Sequence, residues 1–377
     1  MHFLNPRLVE MHLRQRYRNT FMRRSMKTKY KSFKYKLLRS IAKRLVVDSM
    51  LPLKQSGDHV LHNTSENSLV YTVFLQGLPR LSRVANAKLF RLKVFGAPFA
   101  FNPSLVRTER GWLSIVRDTN IVVVNDGEKY CYTSVPHRTE NYALNLDDNF
   151  DVKEVQKLNL AAFDFAEAKN GVEDIRLIDV KGKIYGIGAG ISIIQHPHNR
   201  KITQILFSIT TGGQIENAHV IESPFGSLVE KNWMPFVHNS MLHFLYSPNP
   251  LIIFKFDRGA LTPVTQTGLQ GPVDHAQFRY SGSTNGIPFR GGYLFIVHTR
   301  KTYEEKISYV HYFMFLNDRL ELLQISEPFL FERPGIEFAV NMIPAGEDIV
   351  ISYGLGDRRS RLVQISADQV ADMVSLG

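Results

Sequence analysis

The sequence predicts an all-β chain folded as a five-bladed β-propeller, preceded by a basic helical arm. Three observations predict it. A short polar or acidic cluster leading into an apolar strand recurs five times, as Phe101-Asn-Pro-Ser-Leu-Val-Arg107, Glu173-Asp-Ile-Arg-Leu177, Glu230-Lys-Asn-Trp-Met-Pro-Phe236, Ser281-Gly-Ser-Thr-Asn-Gly-Ile-Pro288 and Glu337-Phe-Ala-Val-Asn-Met342. Each runs into a turn and a second strand: Glu109 to Val116, Val180 to Tyr185, His238 to Ser247, Arg290 to His298 and Gly346 to Tyr353. Successive units are about 50 to 70 residues apart, the length of a four-stranded blade with its loops.

The chain has 377 residues, 44% of them apolar, enough to bury a large core. Its formal charge of +11 is concentrated at one end, because Met1 to Arg44 holds fourteen Lys or Arg against the single acid Glu10. The remainder is nearly neutral, so the body does not read as a nucleic-acid-binding surface. No run of about 18 apolar residues predicts a membrane span, and the first 30 residues lack the apolar centre of a secretory signal. The single cysteine, Cys131, excludes an intramolecular disulfide framework and fits a reducing compartment.

Residues 1–54 read as the helical arm. Met26, Tyr30, Phe33, Leu37, Ile41 and Leu45 recur at intervals of three and four and share one helical face ringed by basic residues. Residues 1–46 are thus a candidate contact with an anionic membrane surface, consistent with a cytoplasmic protein that is peripheral to a membrane. The alternatives are a helix packed on the body and an organellar transit peptide. Residues 55–68, polar and aperiodic, read as a linker, and residues 69–377 as the catalytic propeller.

Within the propeller, strands are predicted over Val70 to Leu75, Lys88 to Phe95, Asn120 to Val124, Lys129 to Thr133, Ile202 to Ile209, Leu251 to Phe256 and Ser308 to Phe315. A closing helix is predicted over Ala367 to Ser375, capped by Ser366. Gly186-Ile-Gly-Ala-Gly190 is not a dinucleotide loop, since Ile191 replaces the third glycine and no helix follows; it reads as a bend at a strand edge. His196-Pro-His198 has no nearby partner for a metal site, so no metal and no cofactor is expected.

In a propeller the equivalent strands of all blades line one channel, so Arg107, Glu173, Asp174, Arg176 and Lys231 are predicted to converge. The alternative is that each cluster merely starts a strand near solvent. For Arg176 the structural alternative is a salt bridge to Glu173 or Asp179. For Lys231 it is a solvated surface position.

Gly171-Val-Glu-Asp-Ile-Arg176 resembles the Gly-x-Glu-Asp-Pro-Arg signature of glycoside hydrolase family 130, β-mannoside phosphorylases and hydrolases on a five-bladed propeller, with related mannosyltransferases. Asn102-Pro103, the lysine of Glu230-Lys-Asn-Trp233 and the closing Ile349-Val-Ile-Ser-Tyr-Gly-Leu-Gly-Asp357 extend the likeness over about Leu69 to Gly377. The resemblance implies Asp174 as the general acid, acting through a sugar hydroxyl that relays its proton, and Glu173 as a sugar ligand. A donor carboxyl must carry a proton at the working pH, which a neighbouring carboxylate or a dry channel favours. Successive strand residues point to opposite faces, so Glu173 and Asp174 share a pocket only where the backbone is irregular. Proline supplies that break in the family; Ile175 stands there in this chain.

An inverting transfer needs an anion opposite the acid, and Arg107, Arg176, Lys231 and His311 are the candidates to hold a phosphate group. Asn102, Glu173, Trp233, Tyr280 and Asp357 are the candidate sugar contacts, the rings by stacking on pyranose C–H faces. The expected function is an inverting glycosyltransferase acting on β-linked mannosyl glycans, with a sugar phosphate or nucleotide sugar as donor and a glycan acceptor. The alternatives are a β-mannoside phosphorylase, a glycoside hydrolase and a non-catalytic glycan-binding propeller.

Overall fold

The computed structural model describes residues 74–124, 129–132, 138–193, 200–265, 280–303 and 306–376. The chain divides into two units, Met1–Gly77 and Leu78–Gly377. Of the first, only a helical turn over residues 74–77 is described, so the predicted arm and linker lie outside the described residues. The strand expected over Val70 to Leu75 is corrected in part: Phe74 and Leu75 are helical, and the rest of it lies outside the described residues.

The second unit is the propeller, five antiparallel sheets in a ring. The first blade comprises β2 (Phe101–Thr108), β3 (Gly111–Thr119), β6 (Thr139–Leu146) and β7 (Val152–Lys157); a hairpin of β4 (Ile121–Val124) and β5 (Lys129–Tyr132) is inserted into it. The second comprises β8 (Val172–Val180), β9 (Lys183–Ile193), β10 (Arg200–Ile209) and β11 (Ile215–Ile221). β12 (Met234–His238), β13 (Met241–Pro248), β14 (Leu251–Asp257) and β15 (Ala260–Thr265) form the third. In the fourth, β16 (Ser281–Gly282) and β17 (Ile287–Phe289) both pair with β18 (Gly292–Tyr303), followed by β19 (Lys306–Asn317) and β20 (Leu322–Ile325). The fifth runs β21 (Glu337–Ala345), β22 (Asp348–Leu355) and β23 (Arg359–Ser366), and its outer strand is β1 (Lys88–Leu92), from the start of the propeller. The β1–β23 register, Lys88↔Gln364 through Leu92↔Ser360, closes the ring and covers an otherwise open sheet edge.

Strand alternation explains how the blades stack. On β10, Ile205 and Phe207 enter the core shared with the first blade, while Leu206 between them enters the core shared with the third. Each such side chain, fully buried, contributes roughly 1.5–3 kcal/mol of apolar burial. The glycine run of β9 lies inside this packing: a Cβ on Gly186 would sit 2.3 Å from the Phe207 ring. These glycines occupy a strand interior packed against neighbouring side chains, a correction to the edge-bend reading.

Buried polar side chains tie the inner strands around the axis. The Leu177 N–H donates to Ser104 Oγ at 2.6 Å, and the Leu105 N–H to Asn341 Oδ1 at 3.0 Å. Asn341 Nδ2 donates to Leu177 O and to Asn285 Oδ1. The chain ends in α1 (Ala367–Met373), whose cap Ser366 accepts from the Asp368 N–H, as predicted. Among the described residues no helix is long and apolar enough to cross a membrane.

Candidate functional site

The site forms where the inner strands of the first and second blades begin. In both, the pairing register slips, between Phe101 and Ser104 against β3 and between Glu173 and Arg176 against β9. The residue at each slip is left-handed: Asn102 at φ 53° and Asp174 at φ 51°. Asn and Asp tolerate this conformation better than other side-chain-bearing residues, which accounts for their identity there. The bulge re-aims Asp174, so that Glu173 and Asp174 reach one partner instead of opposite faces. No proline is needed: Ile175 supplies a buried side chain to the core between the blades.

That shared partner is Arg117, at the end of β3, which the sequence did not single out. Its guanidinium meets Glu173 Oε1 at 2.9 Å and Asp174 Oδ1 at 3.0 Å, and lies over the Phe101 ring at 4.5 Å. Burial works against its charge, yet Asp174, Glu173 and Asp357 together hold it above the ordinary arginine range. Asn102 Nδ2 donates to Asp174 Oδ1 at 2.6 Å, so the carboxylate is fixed from two sides.

Gly354, in the predicted Tyr353-Gly354 motif, makes room for Asn102, since a Cβ there would lie 1.8 Å from Asn102 Oδ1. Gly354→Ala is therefore expected to destabilise the fold by about 1–3 kcal/mol, the scale of overpacking. Adding Asn102→Gly removes the clashing amide without straining the left-handed backbone and should recover much of that loss in denaturant melts. A double variant no more stable than Gly354→Ala alone would show that the two residues are not in conflict.

Arg176 is buried, at 1% exposure. Its Nε donates to Ser283 O and its Nη1 to Asp174 O, while Nη2 has no protein partner among the described residues. These contacts are carbonyl oxygens, not the carboxylates of Glu173 or Asp179; Asp179 accepts the Gly182 N–H in the β8–β9 turn. Burial pushes Arg176 down to about 10, with Asp174 opposing. Beside it the His298 imidazole shares a 2.7 Å hydrogen bond with Ser283 Oγ, and the charges of Arg176, Lys231 and Arg300 all act on it. Tyr309, paired across the strands with Arg300, is pushed up by burial and then by Asp357.

Asn102, Glu173, Asp174 and Arg176 are thus brought together with Arg117, and Ser283 joins His298 to Arg176. Asp357 acts by its charge on Arg117 and Tyr309, and Lys231 and Arg300, both exposed, act by charge on His298. Four expected residues do not take part as predicted. Arg107 lies five residues along β2 from Asn102, roughly 16 Å at strand rise; it is exposed, pairs with Asp148 at 2.6 Å and stacks over Trp112. His311 is fully buried against Phe331 and Phe329, and burial drives it down to about 3, leaving no cation to offer. Trp233 is core, its indole N–H donating to Glu230 at 3.1 Å. Tyr280 packs edge-on to Tyr312 and, with Lys231, lines a cavity of about 20 Å³, room for a water but not a sugar ring.

His196 and His198 lie outside the described residues, and among the described residues no cluster of three or more His, Cys, Asp or Glu could hold a metal. No sequence-family model and no curated protein matches the chain. In structure it is similar to β-1,2-mannobiose phosphorylase from Listeria innocua, solved with β-1,2-mannobiose: TM-score 0.51, 14% identity, over 84% of this chain and 99% of that one. It is also similar to a structure from work on the GH130 family of mannoside phosphorylases, which contains hydrolases targeting β-1,2-mannosidic linkages in Candida mannan: TM-score 0.52, 11% identity, over 83% and 97% of the two chains. The likeness is one of fold, spanning the five sheets of the ring.

Proposed function

We propose that this protein is an inverting glycosyltransferase that moves a mannosyl group from a phosphate-bearing sugar donor onto a glycan acceptor. The observation that carries the reading is a fixed carboxylate beside a buried cation: Asp174, held by Asn102 and Arg117, next to Arg176, whose Nη2 has no partner among the described residues. In transfer, an acceptor oxygen forms the bond to the anomeric carbon from one face as the bond to the phosphate oxygen breaks on the other. The displaced proton passes through a sugar hydroxyl to Asp174, and the departing phosphate keeps the bonding electron pair beside Arg176 and Lys231. Glu173 and Asp357 accept hydrogen bonds from sugar hydroxyls.

Run in reverse with inorganic phosphate, the same groups perform phosphorolysis, and Asp174 then donates. Hydrolysis would make no use of the unpartnered arginine nitrogen. A panel of nucleotide sugars and sugar 1-phosphates with manno-oligosaccharide acceptors tests the reading. Chain extension from a phosphate-bearing donor is the expected result. Release of sugar 1-phosphate from an oligosaccharide plus phosphate, without extension from any nucleotide sugar, would favour the phosphorylase. No turnover with any pair would sink both.

A further inference from the structure

His298 is a buried titratable group that the transfer itself does not use. Its ring packs at 5.2 Å from Tyr309 and 5.3 Å from Phe338, with His311 behind it at 6.5 Å. Its Nδ1 is engaged by Ser283 Oγ, and the Ser283 carbonyl accepts from Arg176 Nε, so imidazole and guanidinium are joined through one residue. Nε2 is the nitrogen left for a ligand.

The charged groups around it come from every neighbouring element. Arg176 on β8, Lys231 before β12, Arg300 on β18 and His311 on β19 act on it directly, while Asp357 and Asp174 act on Tyr309 and Glu337 on His311, the rings beside it. Burial first, then His311, Arg176, Lys231 and Arg300, hold His298 well below the usual histidine value. Each of these influences disfavours a proton, and a phosphate-bearing ligand at Arg176 would neutralise the first of the cations.

We infer that binding of a phosphate-type dianion at Arg176, which Ser283 joins to the imidazole, is coupled to uptake of one proton on His298. The inference rests on the proposed anion site and adds a linkage that site does not require. A dianion close to the imidazole reverses the sign of the local field, and Nε2–H becomes a further donor to it. The bound histidine therefore holds its proton to higher pH than the free one, and in that interval affinity falls by up to about tenfold per pH unit as pH rises.

Sulfate is the probe, because it stays dianionic throughout pH 5.5 to 7.5 and any proton exchanged comes from the protein. Titration calorimetry of the full chain in two buffers of different ionisation enthalpy should show uptake of up to one proton, growing as pH falls. His298→Asn keeps a polar group toward Ser283 but cannot titrate, and should bind sulfate without uptake. His298→Gln, with its amide nearer the Nε2 position, serves if the asparagine variant melts early. Uptake that persists in a folded variant places the proton elsewhere, on Glu337 or His311, and overturns the inference. Sulfate binding without proton exchange in the wild type overturns it while leaving the anion site standing; no sulfate binding overturns both.

Discussion

Asp174→Asn is expected to lower turnover by about 10²- to 10⁴-fold while leaving the propeller folded and the anion bound. Asparagine has the same shape and can turn its oxygen toward Asn102 Nδ2, so the 2.6 Å hydrogen bond survives. Arg117 keeps its second carboxylate, Glu173 at 2.9 Å, and is not left unpaired. What is lost is the only atom at that position able to gain and release a proton. Chain extension measured by mass spectrometry, beside a thermal melt, separates chemistry from folding. Turnover within a few-fold of wild type in a folded variant would remove Asp174 from the proton path.

The repeating blade was legible because each inner strand, turn and second strand carries its own local pattern, and all five predicted pairs occur as β2–β3, β8–β9, β12–β13, β17–β18 and β21–β22. The closure was not. β1 is a short, mostly exposed strand whose partner Val363 is remote in sequence from Leu89, and nothing local announces that pairing. The same limit governs the site. Glu173, Asp174 and Arg176 sit in one motif and could be read together, whereas Arg117 sits in none; it reaches them because it pairs with Phe101 at the slipped register, a cross-strand fact. Arg300 and His298 are likewise placed by the β18 register. Arg107 is expected at the site as the end of the first polar cluster on a channel-lining strand, but a strand carries residues apart at about 3.3 Å each. Trp233 and Tyr280 are expected to stack on a sugar, yet their rings are taken up by Phe244, Tyr246 and Tyr312, which composition cannot reveal.

Arg176→Met tests whether a buried cation is kept for a ligand. Methionine fills most of the same volume without the charge, and the charge itself is disfavoured by burial, as the fall of Arg176 to about 10 records. Replacing such a charge with an apolar side chain is often nearly neutral for stability. Here the Ser283 and Asp174 carbonyls each lose a donor, which costs about 1–3 kcal/mol per group if water does not replace it. These opposing terms leave the melting temperature little changed. Anion affinity has no such compensation: a charge-assisted hydrogen bond from Nη2 is worth about 1.5–3 kcal/mol, so inorganic phosphate or sugar phosphate should bind roughly 10- to 150-fold more weakly. Arg176→Lys restores a positive charge but not the fork that holds both carbonyls and the ligand, and is expected to recover only part of that affinity. Calorimetry showing wild-type phosphate affinity in Arg176→Met would reduce Arg176 to a strut between the second and fourth blades. A collapsed melting temperature with unchanged affinity would say the same. Weakened affinity in a variant that melts near the wild type is what an anion-binding arginine requires.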